Sequence, residues 1–227
     1  MTFILNILRR DMSILAADRK AVAKWPNSIS AGFRLASAGM GGLENFNKIH
    51  LNATRIVAVG VAGDVPDHGY TDEVEECPTI NETLRIVRNH MEHFLRIDDR
   101  ANLSVPKAFT VNQAIASFFD PRADTFFSNT FLFTPVRSET RLHRASEGSK
   151  VLCAGTGSEH YEDAAGEVKI DSLFPASEPD AVPHACIQWI REMYKMVNSH
   201  DEETGAEPTI IVSTRQAPEF RLAEPGC

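Results

Sequence analysis

The stretch Thr2-Phe-Ile-Leu-Asn-Ile-Leu-Arg-Arg-Asp-Met-Ser-Ile-Leu-Ala-Ala-Asp18 decides how the fold is read. Two short apolar runs, residues 2–8 and 13–17, flank Arg9-Arg10-Asp11-Met12, a polar break of the right length to join antiparallel strands in a hairpin. The chain is therefore expected to begin inside a sheet. Termini fray unless something ties them down, so a strand starting at residue 2 draws attention to that end.

Outward from the hairpin, Lys24 to Asn47 is rich in Gly, Ser and other small residues, including Ala38-Gly39-Met40-Gly41-Gly42, and reads as a loop or short helical insertion. Residues 55–62 form a continuous apolar run, too short for a full helix and rich in β-branched residues: a strand buried on both faces. Residues 64–78, with six acids, one glycine and two prolines, read as an exposed connection. Ile80, Leu84, Val87, Met91 and Leu95 fall at helical spacing, with Pro78-Thr79 as the start. A shorter helix is expected over Val111–Phe119, strands over 125–134, 138–145 and 149–154, a third helix over Val182–Val197 with Ala185, Trp189, Met193 and Met196 on its apolar stripe, and a last strand over Thr209–Ser213. No repeat or linker divides the chain, so residues 1–227 are expected to form one domain of mixed strands and helices.

Composition narrows the function. Lys plus Arg number 23 against 31 Asp plus Glu, a net charge of −8, which argues against a phosphate-binding surface and hence against nucleic acid as partner. No run approaches the ~20 apolar residues of a membrane span, and the first residues lack the basic leader of a secretory signal, so a cytoplasmic protein with no membrane partner is expected. Cys77, Cys153, Cys186 and Cys227 lie far apart with no C-x-x-C pair, unlike a zinc knuckle or a disulfide-stapled fold. His90 and His93 beside Glu92 lack a third ligand and read as a solvated helix face; no metal is expected. Phe126, Phe127, Phe131 and Phe133 read as core or subunit contacts.

Thr2 offers chemistry. A small residue after Met1 commonly permits removal of the initiator, leaving Thr2 with a free α-amine that titrates near pH 7.7–8.0 and can take the hydroxyl proton at neutral pH. Nucleophile and base would then share one residue. Many proteins begin Met-Thr without any such role, so Thr2 gains weight only from the residues around it.

Thr2, the hairpin, Leu15-Ala16-Ala17-Asp18-Arg19-Lys20, Asn47-Lys48-Ile49 and the run ending Gly60-Val61-Ala62-Gly63 together resemble the opening of a proteasome β-subunit, in the N-terminal-nucleophile hydrolase superfamily. Within it the chain is most like a bacterial proteasome homologue of the β-proteobacterial branch. The resemblance implies that Asp18, sixteen residues after Thr2, pairs with Lys48, although thirty residues separate them, about fourteen more than the family pattern, with the surplus in the 24–47 segment. Arg34 competes by count but lacks the Lys-Ile-strand context, and a guanidinium does not replace an ammonium. Gly63, one residue beyond the expected register, takes the family's oxyanion-binding position.

Gly155-Thr156-Gly157-Ser158 is similar to the family's G-S-G-S turn, and Asp201-Glu202-Glu203-Thr204-Gly205 to its D-x-x-S-G motif, each with Thr for Ser; Thr156, Asp201 and Thr204 are thereby implied to support the Thr2 amine and hydroxyl. A phosphate-cradling loop at 155–158 lacks the required lysine and longer glycine signature. Val61 would line an apolar substrate pocket. The resemblance spans Thr2 to Val212 and implies an α+β fold, a four-layer α-β-β-α sandwich of two antiparallel sheets covered by helices. It implies a self-compartmentalising threonine peptidase without cofactor, assembled as a homo-oligomer of stacked rings, acting on peptides or unfolded proteins, with an ATPase unfoldase as a conceivable partner. Two alternatives remain: a non-proteolytic ring protein that keeps Met1, and a small-molecule amidase of the same superfamily.

Overall fold

The apolar runs at the start of the chain pair as expected. In the computed structural model, which describes residues 2–20, 47–62, 68–100, 112–134, 137–146, 148–165, 168–174, 182–200 and 204–223, β1 (Ile4–Leu8) and β2 (Met12–Asp18) form an antiparallel hairpin whose register sets Ile4 opposite Ala17 and Leu8 opposite Ser13. Every residue of both strands is buried, because both faces are covered: Phe3, Leu5, Ile7, Met12, Ile14 and Ala16 enter one apolar cluster, while Ile4, Leu15 and Ala17 enter another. Strands buried on two faces lose the polar alternation of a surface strand, which is why the sequence shows runs rather than a period of two.

The remaining strands are β3 (Ile49–Leu51), β4 (Val57–Ala62), β5 (Asn112–Asp120), β6 (Thr125–Thr134), β7 (Arg137–Arg144), β8 (Lys150–Ala154), β9 (Pro208–Thr214) and β10 (Arg221–Leu222). They make two five-stranded sheets, β10-β9-β2-β1-β8 and β3-β4-β5-β6-β7, antiparallel at every pairing. The helices are α1 (His68–Glu76), α2 (Ile80–Arg100), α3 (Tyr161–Ala165) and α4 (His184–His200). The protein is thus α+β with two antiparallel sheets. Cys186, Ile187, Ile190, Met193, Tyr194 and Val197 of α4 pack on the first sheet, and Val74 of α1 with Ile86, Val87 and Met91 of α2 pack on the second. A further cluster joins Ile4, Leu15, Ala17 and Ile211 of the first sheet to Ile49, Ala58, Ala62 and Ile115 of the second.

Three expectations need correction. Residues 64–78 are not merely an exposed connection: His68–Glu76 is helical, with Val74 and Cys77 buried and the acids Asp72, Glu73, Glu75 and Glu76 exposed. Val74 and, just past the helix end, Cys77 seat this segment, and the density of charge around them hides them in the sequence. The expected helix over Val111–Phe119 is strand β5; Ala114, Ala116 and Phe118 face α1 and α2, while Ile115 and Phe119 face the first sheet, so burial on both faces erased the period that separates strand from helix. On α4 the buried stripe runs through Cys186, Ile187, Ile190, Met193, Tyr194 and Val197; of the residues expected there only Met193 is fully buried, and Ala185 and Met196 are exposed.

The helix at Ile80 starts as expected, Thr79 capping it by accepting from the Glu82 N–H at 3.3 Å. The insertion at 24–47 falls outside the described residues except for Asn47. Phe126, Phe131 and Phe133 are buried in the core. Among the described residues no helix is long and apolar enough to cross a membrane, and no group of three or more His, Cys, Asp or Glu side chains is placed to hold a metal.

Candidate active site

Hairpin register builds the first half of the site. Since Ile4 faces Ala17, Phe3 faces Asp18; the Asp18 N–H donates to the Phe3 carbonyl at 3.2 Å and the Phe3 N–H donates to Asp18 Oδ1 at 2.8 Å. The carboxylate therefore stands beside Thr2 through local geometry alone. Its other oxygen, Oδ2, accepts from the backbone N–H groups of Lys20 and Gly205, each at 3.2 Å.

Lys48 supplies the second half from the other sheet. It immediately precedes β3, and its carbonyl accepts from the Val61 N–H at 3.0 Å, anchoring it to β4. Its side chain reaches the first sheet, where Nζ lies 2.7 Å from Asp18 Oδ2 and 2.9 Å from Thr2 Oγ1. Thr2, Asp18 and Lys48 are 6%, 1% and 4% exposed, so the ion pair sits in a dry site where hydrogen bonds and charge act with little screening. Thr2 Oγ1 accepts from the ammonium, leaving its own single proton free to be given elsewhere.

The Gly155–Ser158 turn closes over Thr2 from the end of β8. Gly155 has φ +90°, and a Cβ there would lie 2.1 Å from the Thr2 carbonyl oxygen, so glycine is required both by conformation and by space. The Gly157 N–H donates to that carbonyl at 3.3 Å, and a Cβ on Gly157 would meet Phe3 Cβ at 2.8 Å and Thr204 Oγ1 at 3.2 Å. Ser158 braces the turn by donating from Oγ to the Gly155 carbonyl at 2.6 Å.

No protein-family model matches the chain, and no curated protein matches it. The arrangement is consequently judged on its own geometry. Lys48 is in direct contact with both Thr2 and Asp18. Thr204 is fully buried with its hydroxyl against Gly157, and joins the site through that glycine. Thr156 lies in the turn but is exposed; its two flanking glycines are what touch the Thr2 residue. Val61 is half-buried and packs with the cluster under α1 and α2, near the end of β4 that meets Lys48. Gly63 and Asp201 lie outside the described residues.

Three supporting residues escape a sequence reading. Tyr194 donates from its hydroxyl to the Phe3 carbonyl at 3.1 Å; burial, reinforced by the Asp18 charge, holds its pKa well above the usual phenol value, so it remains a donor. Gln113 Oε1 accepts from the Gly155 N–H, and Asn198 Nδ2 donates to the Thr204 carbonyl. A lone Gln at the head of an otherwise apolar segment, and a Tyr within the buried stripe of a helix, are the signals the sequence carries for them. Cys153 and Cys186 are free thiols whose pKa burial pushes up to about 12, which makes them poor nucleophiles.

The chemistry available is specific. An ammonium hydrogen-bonded to a hydroxyl oxygen stabilises the alkoxide that forms when that hydroxyl loses its proton. Asp18, bonded to Lys48 and to three backbone N–H groups, fixes where the ammonium stands.

Proposed function

We propose that the chain is a threonine-type peptidase of the N-terminal-nucleophile class, with a four-layer α-β-β-α sandwich as its scaffold. The observation that carries this reading is the contact of Lys48 Nζ with both Thr2 Oγ1 and Asp18 Oδ2, three buried side chains from two sheets. A purely structural Lys–Asp pair has no need of a threonine hydroxyl at 2.9 Å in the residue that a glycine turn encloses.

The reading requires a free α-amine on Thr2, which removal of Met1 provides. Thr2 Oγ attacks the peptide carbonyl carbon while its proton passes to the α-amine. Lys48 stabilises the forming alkoxide, and the Gly63 N–H takes the tetrahedral oxyanion. The amine then gives its proton to the departing amide nitrogen, leaving an ester on Thr2. Water, losing a proton to the same amine, cleaves the ester and restores the hydroxyl. Asp201 and Thr204 assist around the amine. No cofactor enters this scheme. Stacked homo-oligomeric rings that admit peptides or unfolded chains complete the proposal on the strength of the sequence resemblance.

Incubation of the purified protein with a β-lactone or epoxyketone should give covalent, stoichiometric labelling at Thr2. Intact mass should be lower than the encoded chain by one methionine residue. Processed protein that never labels would overturn the reading, and full retention of Met1 would favour the non-proteolytic ring protein.

A further inference from the structure

Asn6, Ser13, Ser117 and Ser128 are all fully excluded from solvent between the two sheets, where the surrounding side chains are apolar. Asn6 and Ser13 belong to β1 and β2 of the first sheet, Ser117 and Ser128 to β5 and β6 of the second. Asn6 Nδ2 donates to Ser13 Oγ and to the Ile14 carbonyl, both at 2.9 Å. Ser13 Oγ and Ser117 Oγ lie 2.7 Å apart, Ser117 Oγ and Ser128 Oγ 3.1 Å, and Ser128 Oγ donates to Asn6 Oδ1 at 2.6 Å.

The four side chains touch in a closed ring. The Ile14 carbonyl can only accept, which fixes the orientation of the Asn6 amide and leaves Oδ1 facing Ser128. Ser128 spends its single proton there. Ser13, which accepts from Asn6, gives its proton to Ser117, and Ser117 gives its own either to Ser128 Oγ or to the Phe127 carbonyl at 3.4 Å; the contacts from Asn6 to Ser13, Ser117, Ser128 and back to Asn6 form a closed ring that crosses between the sheets twice.

We propose that this ring pins the register of the two sheets, and that its four members are positioning residues for the Lys48–Thr2 contact. Thr2 and Asp18 ride on one sheet and Lys48 on the other, so a slip of about 1 Å between sheets would break a hydrogen bond of 2.9 Å. The cluster nearest the site is rich in small residues, Ala17, Ala58, Ala62 and Ala154, with Gly60 set against Ile4. Contacts of this kind are strong but non-directional and tolerate sliding. Directional bonds do not, and a fully satisfied buried polar network rigidifies the packing around it and can fix a register. Asn6 lies four residues along from Thr2, about 13 Å at strand rise, close enough to govern the position of the site and far enough not to touch it.

The kinetic arm of the test rests on Thr2 being the nucleophile; the structural arm does not. Replacing the whole ring by apolar groups, with Asn6→Leu, Ser13→Ala, Ser117→Ala and Ser128→Ala together, leaves no orphaned polar side chain, so the protein should keep nearly its full thermal stability. We expect β-lactone labelling at Thr2 to slow about tenfold or more, since misplacement of about 1 Å costs up to ~10²-fold. A crystal structure of the variant should show Lys48 Nζ beyond hydrogen-bond reach of Thr2 Oγ1. A folded variant with that contact unchanged overturns the proposal whether or not Thr2 is reactive; failure of the native protein to label overturns the peptidase reading alone. Should the quadruple variant not fold, Ser117→Ala carries the same test by both readouts: a lengthened Lys48–Thr2 contact supports the pin, and an unchanged one overturns it.

Discussion

Thr2 and Asp18 are carried by β1 and β2, interior strands of a five-stranded sheet, whereas Lys48 stands at the head of β3, a three-residue strand that among the described residues is the edge of its sheet and pairs with β4. In the hairpin, backbone register sets Asp18 beside Thr2 across a short loop. The Lys48 side of the site depends on sheet-to-sheet packing and on α1, which lies against β3. One half of the site is a consequence of local pairing; the other arrives through contacts between parts of the chain distant in sequence. The edge-strand half should therefore be the first to loosen and the easier to perturb without unfolding the rest.

The largest expected effect separates chemistry from stability across this divide. Lys48→Met should slow labelling at Thr2 by roughly 10²–10³-fold, the usual cost of removing one donor to a developing oxyanion, while the fold persists because Asp18 still accepts from the N–H groups of Phe3, Lys20 and Gly205. Asp18→Ala should cost more stability, about 3–5 kcal/mol, since it strands a buried ammonium and three backbone donors together. Chemical denaturation of the two variants makes the comparison, and equal losses would abolish the asymmetry between the halves. Next comes Gly155→Ala, whose added carbon collides with the Thr2 carbonyl: backbone strain of about 1–3 kcal/mol and a tenfold to hundredfold slower labelling, approximately, are expected. Unchanged labelling in that variant would show that the turn does not hold Thr2.

The same divide explains what could be read from the sequence. The hairpin and its polar break are legible because they are local and repeat a simple apolar pattern, whereas the Thr2–Asp18 spacing takes its meaning from the family resemblance. Lys48 is reached only through the family resemblance, which places a Lys before an apolar residue and a strand, across an insertion that spoils counting. Strand β5 misled because Ala114, Ile115, Ala116, Phe118 and Phe119 are buried on both sides and carry no period. Helix α1 is hidden in the sequence because Val74, and Cys77 just beyond its end, sit among four exposed acids whose solvation says nothing about backbone shape. Tyr194, Gln113 and Asn198 act on backbone groups of the site, and a residue whose partner is a main-chain atom of a distant segment leaves no motif.

A smaller effect should follow from loosening the helix behind β3. Val74 is completely buried between α1 and the second sheet. Val74→Ala should cost about 2 kcal/mol by lost burial and the cavity left behind. Hydrogen exchange should then quicken at Ile49 and His50 before it does at Leu5 or Ile14. Uniform acceleration across both sheets would mean that β3 is no weaker than the hairpin.

The smallest effect is a pH dependence that also resides on β3. His50 is 9% exposed and its Nδ1 lies 3.3 Å from Glu75 Oε1; burial lowers its pKa below the ordinary 6.5, and the Glu75 hydrogen bond and charge oppose that shift without reversing it. Above pH 6.5 the imidazole is neutral in folded and unfolded chains alike, and its contribution to stability is fully present. As pH falls below 6.5 the unfolded chain takes up the proton first, so the folded state loses that contribution progressively until its own lower pKa is passed. Denaturation midpoints measured on both sides of pH 6.5 should therefore fall further on acidification for the native protein than for His50→Gln, which keeps a donor for Glu75 but cannot titrate. Identical slopes for the two would mean that the buried imidazole of the edge strand takes up its proton as readily in the folded chain as in the unfolded one.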